Sequence, residues 1–219
     1  YDIPQSGRSA KGKAIGNILS LAQFEKITAI EKISSYDENL YVLMATSNGI
    51  IKKTKLSDFS RPRSSGLIAI NLKDGDSLIE ACVTNGKKQI MLFSSAGKAI
   101  RFNEIDVTCV GRSAAGVKGI TLGKDHSVIS MITSDQDDAD DILIATENGY
   151  GKRTGLNEFS IQKRSGKGNI AVKTSDRNGK VVGALKVNEN DDLMLITDHG
   201  TLVRTFIKDI RQLGRNTQG

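Results

Sequence analysis

The chain has 219 residues, with 31 lysines and arginines against 25 carboxylates and a formal net charge of +6. That length suits one sizeable β domain or two small ones, and no apolar run approaches the ~20 residues of a membrane-spanning helix. No charged-then-apolar leader opens the sequence, and Cys82 and Cys109 fall inside apolar, strand-like runs, so the expectation is a cytoplasmic chain with reduced core thiols.

In chain order, Arg8-Ser9-Ala10-Lys11-Gly12 and the β-rich run 27–33 read as the second half of a unit whose hairpin is missing. Residues 40–46 are apolar and β-rich, Ser47-Asn48-Gly49 is a turn, and 50–56 return; Asn-Gly between two such runs predicts a hairpin, because both residues tolerate positive φ. A short helical turn is expected near 57–60, followed by a basic loop and two further strands at 67–72 and 78–84. The same order then recurs. Turn glycines stand at Gly49, Gly97, Gly149 and Gly200, spaced by 48, 52 and 51 residues. A basic residue follows each at the fourth position (Lys53, Arg101, Arg153, Arg204), and a loop arginine follows ten or eleven residues later (Arg63, Arg112, Arg164, Arg215). Strands corresponding to 67–72 and 78–84 are expected at 117–122 with 128–132, and at 169–174 with 181–187.

Four strands per ~50 residues is the signature of an all-β, propeller-like stack of four-stranded blades. The repeat divides the chain into a half-blade at 1–38, blades at 39–86, 87–138 and 139–190, and a half-blade at 191–219. The expectation is a piece of a longer protein. Residues 135–141, rich in aspartate, read as a loop between blades; they lack the spaced oxygens and central glycine of a calcium loop.

Charge is segregated along the repeat. The four windows from turn glycine to loop glycine (49–66, 97–116, 149–168, 200–219) hold seventeen lysines and arginines against five carboxylates, while the rest of the chain is net acidic. A merely solvated surface mixes its signs; segregation suits a polyanion. The candidate contacts are Lys52, Lys53, Lys55, Lys98, Arg101, Lys152, Arg153 and Arg204 on returning strands, with Arg61, Arg63, Arg112, Lys163, Arg164, Lys167, Arg211 and Arg215 in loops. Glycines beside the loop arginines would let bare backbone approach a phosphate. The alternative for each arginine is that it braces its loop against neighbouring carbonyls or carboxylates. Trp is absent and Phe and Tyr total ten, so base stacking on single strands is disfavoured against phosphate contact with a duplex.

Nothing specifies a self-contained active site. His126 and His199 lie beside turns without a nucleophile or metal-ligand pattern, and Gly166-Lys167-Gly168 lacks the Ser or Thr of a nucleoside-triphosphate loop. No catalytic residue, metal or cofactor is expected in this segment.

The strings Ala45-Thr46-Ser47-Asn48-Gly49-Ile50-Ile51-Lys52-Lys53-Thr54, Thr146-Glu147-Asn148-Gly149-Tyr150-Gly151-Lys152-Arg153-Thr154, Gly200-Thr201-Leu202-Val203-Arg204-Thr205 and Gly214-Arg215-Asn216-Thr217-Gln218-Gly219 resemble the C-terminal domain of bacterial DNA gyrase A, in the family that gyrase A shares with its topoisomerase IV counterpart. The resemblance implies an incomplete copy of a six-bladed β-pinwheel whose blades exchange strands. It further implies sequence-nonspecific wrapping of double-stranded DNA around a basic perimeter, in support of negative supercoiling. The implied partners are the rest of gyrase A, together with gyrase B, in an A2B2 holoenzyme, with ATP and Mg belonging to that holoenzyme and no membrane involved. None of Tyr1, Tyr36, Tyr41 or Tyr150 sits in the family's DNA-cleaving context. The family's heptapeptide Gln-Arg-Arg-Gly-Gly-Lys-Gly is absent; Gln162-Lys163-Arg164-Ser165-Gly166-Lys167-Gly168 matches five of its seven places in a later unit. Two alternatives remain open: the equivalent domain of the topoisomerase IV protein ParC, and a protein-interaction β-propeller.

Overall fold

Four antiparallel hairpins form at the four predicted turns. β1 (Tyr41–Thr46) and β2 (Ile50–Lys55) pair with Ala45 opposite Ile51, and Gly49 closes the turn at φ +81°. β4 (Gln89–Ser94) with β5 (Lys98–Asn103), β8 (Asp141–Thr146) with β9 (Gly151–Gly155), and β12 (Asp192–Ile196) with β13 (Leu202–Phe206) repeat the arrangement. The computed structural model describes residues 5–7, 9–14, 16, 19, 21, 25–63 and 65–219. Arg8, in the expected first loop, lies outside the described residues, as does Tyr1.

β3 (Leu78–Thr84), β7 (Val128–Ser134) and β11 (Val181–Val187) add antiparallel to the first strand of their own hairpins, close to the predicted runs. Each of these pairings shifts register at the end of the hairpin strand (Ala45/Thr46, Phe93/Ser94, and opposite Val181/Gly183). Such a bulge increases the local twist and turns each sheet in the same sense.

In the first two sheets the fourth place is taken from the following unit, while the third sheet has three strands and the last has two among the described residues. β6 (Val117–Lys118) pairs with β2, and β10 (Asn169–Ile170) pairs with β5. These are two-residue ladders where strands 117–122 and 169–174 were expected, and 67–72 and 27–33 form no strand among the described residues. Sheet and sequence unit are therefore offset, and successive units interlock. After each returning strand comes a 3-10 turn: Leu56–Phe59, Glu104–Asp106, Leu156–Glu158 and Ile207–Asp209.

Strand alternation puts core on both faces of the central hairpins. In β4, Ile90 and Leu92 pack with Leu43, Ile51 and Phe102, while Met91 and Phe93 pack with Ile142, Ile144 and Phe159. Every residue of β4 is buried, so the strand reads as a continuous apolar run. A third, smaller cluster joins Leu143 and Val187 to Leu193 of the last hairpin and Ile207 of the 3-10 turn after it. Each fully buried aliphatic or aromatic side chain contributes about 1.5–3 kcal/mol, so these shared layers hold the sheets in series. Both cysteines are free thiols; Cys82 is half-buried in β3, but Cys109 is exposed in a loop and is not the core thiol expected. The aspartate-rich loop lies between β7 and β8, tied by Lys88 to Asp135 and by Lys186 to Asp138 and Asp140.

Candidate nucleic-acid interface

The repeat's cations fall into two structural classes. The first is internal. Lys53, Arg101 and Arg153, four places after their turn glycines, are 7 %, 8 % and 8 % exposed. Each reaches the 3-10 turn of the next unit: Lys53 donates to Glu104 O (3.0 Å), Arg101 to Leu156 O (2.8 Å) and Phe159 O (3.0 Å), and Arg153 to Ile210 O (2.7 Å). A second set of partners sits on the adjacent hairpin strand, eight residues before each glycine. Lys53 lies over the Tyr41 ring, Arg101 binds Gln89 Oε1, Arg153 pairs with Asp141, and Arg204 pairs with Asp192. These are diagonal cross-strand neighbours, a relation that register alone dictates. Glu189 also pairs with Arg153.

One step earlier, Lys52 and Lys152 are 0 % exposed. Lys152 Nζ donates to Gly214 O (2.6 Å), Arg215 O (2.8 Å) and Thr217 Oγ1 (3.1 Å); Lys52 Nζ donates to Ala69 O (2.6 Å) and to Arg112 O. Burial, and secondarily the nearby Arg215, pushes the Lys152 ammonium down to about 8, while Glu158 opposes that shift. Burial and Arg112 lower Lys52 in the same way. The expectation that Lys52, Lys53, Arg101, Lys152 and Arg153 face phosphates is thus corrected. Their charged heads are occupied by carbonyls and neighbouring side chains inside the fold, because a buried cation is stable only when its donors are satisfied.

Arg164 is also used for bracing, with Nε on Asp106 O (3.1 Å) and a second nitrogen on Lys118 O. Arg204 is exposed but paired with Asp192. A Cβ on Gly66 would meet nothing within 4 Å, but two other loop glycines approach protein and not solvent: a Cβ on Gly168 would stand 2.6 Å from Ala99 O, and one on Gly116 2.7 Å from Ile51 O. The bare backbone admits the preceding strand, so the reading of these glycines as phosphate approaches is corrected too. Ser165 takes φ +74° where the family heptapeptide carries glycine.

The second class is outward. Lys55, Arg61, Arg63, Lys98, Lys163, Lys167 and Arg211 are exposed, and their charged heads have no protein partner among the described residues. Arg112 is half-buried with its guanidinium likewise unpaired, and Arg215 is half-buried with its guanidinium 5.9 Å from the Phe159 ring centre. Six of these residues line clefts between units. Arg61, Arg63 and Arg112 line one cleft of about 490 Å³. Lys98 and Lys167 line another of about 400 Å³, which also takes in His126, a residue sequence reasoning set aside. Lys98 borders a third with Arg215 and Asn216. His126 carries no pattern in the sequence, and only the fold brings it beside two lysines. Asp58 shares the first of these clefts, but none of the cations lining them is ion-paired among the described residues, so the clefts present positive charge.

Comparison with known proteins agrees in family and fold. A family model described as "DNA gyrase C-terminal domain, beta-propeller" matches residues 1–33, 40–84, 88–135, 140–188 and 191–219. The DNA gyrase A protein of Salmonella typhimurium is 49% identical over 219 residues, and that of Escherichia coli K12 is 48% identical; the match covers 100% of this chain and 25% of each relative. The chain thus spans about a quarter of the length of those relatives. Among solved structures, the C-terminal domain of DNA topoisomerase IV superposes with a TM-score of 0.89 at 30% identity, over 95% of this chain and 65% of that one. The DNA gyrase A C-terminal domain superposes at 0.85 and 27% identity, over 96% and 70%.

Proposed function

Since the chain belongs to the DNA gyrase C-terminal domain family, a β-propeller family, we propose that it binds duplex DNA by its phosphates and bends the duplex along the seams of its blades. The observation that carries this reading is the outward class of cations. Lys98, Lys167 and Arg215 border adjoining clefts, and Arg61, Arg63 and Arg112 another, with no carboxylate paired to any of them among the described residues. Base edges are not read by such a set, because lysine and arginine heads on a phosphate backbone position a duplex without reporting its sequence.

Bending stiff DNA costs of order 1–6 kcal/mol for 40–90° over a 20–30 base-pair site. Several phosphate contacts made together offset that cost, which is why the charges must recur at intervals and not cluster at one spot. In the whole protein the bend becomes a wrap of fixed hand beside the cleavage machinery, and strand passage turns the wrap into negative supercoils. The remainder of gyrase A, the gyrase B protein and ATP belong to that larger reading, and this segment's part is to bind and shape the duplex without catalysis.

The test is topological. Relaxed plasmid is mixed with the chain, treated with a nicking-closing enzyme and deproteinised. Wrapping leaves a shift in linking number of one sign that grows with the amount of protein. Unchanged linking number at saturating protein would remove wrapping from the account.

A further inference from the structure

Lys52 and Lys152 occupy the same step of the repeat, three residues after Gly49 and Gly149, and both are wholly buried. No carboxylate lies within ion-pair distance of either among the described residues. Each instead grips the main chain of the following unit at the loop arginine itself: Lys52 at Arg112 O, Lys152 at Arg215 O. The middle unit supplies an internal control. There Ile100 stands where the lysine would be, 0 % exposed and close beneath Gly166. Of the three loop arginines that follow these positions, only that of the next unit, Arg164, turns inward, bound to Asp106 O and Lys118 O. Where a lysine holds the loop from below, the guanidinium is left without a hydrogen-bond partner; where it does not, the arginine does the holding.

We propose that Lys52 and Lys152 are positioning residues for the phosphate-binding loops, fixing Arg112 and Arg215 by their carbonyls so that the guanidiniums stay available to the duplex. This rests on the reading of those loops as phosphate-facing. An ammonium suits the task, because three donors on one point fit the three oxygens of Gly214, Arg215 and Thr217. The charged groups facing Lys152 are Glu158, which also accepts the Arg215 N–H at 3.1 Å, and the Arg215 guanidinium. A carbonyl held inward is also a carbonyl kept from repelling phosphate.

The experiment measures duplex affinity across a salt series for the full chain and for Lys152→Met, Arg215→Ala and the double variant, with melting curves on each. Methionine keeps the length of the buried stem and removes the donors. Expected is a weakening for Arg215→Ala, a comparable one for Lys152→Met, and no further loss in the double variant. The log–log salt slope should fall by about 0.9 in each, one phosphate contact, although Lys152 itself reaches no phosphate. A general loosening of the fold would not remove a single contact from the slope. Affinity and slope unchanged in Lys152→Met while Arg215→Ala is weakened would overturn the positioning role. Normal binding by Arg215→Ala would instead overturn the phosphate reading of this loop. Should Lys152→Met fail to fold, Thr217→Val removes one of the three oxygens and is expected to weaken binding at least about twofold. Lys52→Met with Arg112→Ala repeats the cycle independently, and full affinity in both Thr217→Val and Lys52→Met would likewise overturn the proposal.

Discussion

At the scale of the residue, one letter serves two purposes. Arg101 and Arg211 are both arginines inside basic windows, yet Arg101 is buried against Gln89, Leu156 and Phe159 while Arg211 is exposed and unpaired among the described residues. Energetically they should behave as different residues. Arg101→Met leaves Phe159 O and Gln89 Oε1 without their donor, whereas Leu156 O keeps the Phe159 N–H; each unsatisfied buried group costs about 1–3 kcal/mol, so a loss of roughly 2–6 kcal/mol is expected in urea unfolding. Arg204→Ala breaks an exposed pair with Asp192 and should cost under about 1 kcal/mol in the same measurement. Equal losses would dissolve the distinction between buried, bracing cations and exposed ones. The sequence displayed the repeat of charge but not its orientation. Phosphate and carbonyl are both oxygen acceptors, so the same side chain suits either. A usable signal was present at Tyr41, Gln89, Asp141 and Asp192, each eight residues before a turn glycine, where the partner of the bracing cation sits.

At the scale of the element, hairpins were legible and exchange was not. Asn48-Gly49 and the alternating runs about it predict β1 and β2 because turn chemistry and strand period are local properties. β6 and β10 are two residues long and take their identity from a partner in the preceding unit, which no local pattern announces. The glycines are where that exchange is written. A Cβ at Gly97 would stand 2.3 Å from Val172 O, and one at Gly168 2.6 Å from Ala99 O, so backbone meets backbone at both. Gly149 has φ +79° but meets nothing within 4 Å. Gly149→Ala should therefore cost only the left-handed penalty, about 1 kcal/mol. Gly168→Ala adds a clash that only movement of β10 from β5 relieves, and should cost more than about 2 kcal/mol. Thermal melts of the two variants decide this; equal melting points would mean that β10 and β5 are not held in close register.

At the scale of the whole molecule, the sheets are joined in series by shared apolar layers, and the last hairpin is joined least. Met194, Ile196, Leu202 and Val203 remain exposed there, while Leu193 and Ile207, with Ile210 packed beside them, dock into the preceding layer. Charge at this scale was the most legible property of all, since its segregation into four equivalent windows needs no structure to be seen. The fold divides that total into an inner part that fastens one unit to the next and an outer part that mostly lines clefts between units. Lys98, Lys163, Lys167 and Arg211 belong to the outer part, and their side chains make no hydrogen bond among the described residues, so replacing those side chains should spare the fold. The direct measurement is the affinity of the chain for two unrelated duplexes over a range of salt, beside a variant carrying Gln at those four positions. The account predicts equal affinity for the two sequences, a slope of about −0.9 per phosphate contacted, and a shallower slope in the variant at an unchanged melting temperature. Binding that ignores salt, or a variant that binds with the slope of the parent, would contradict it.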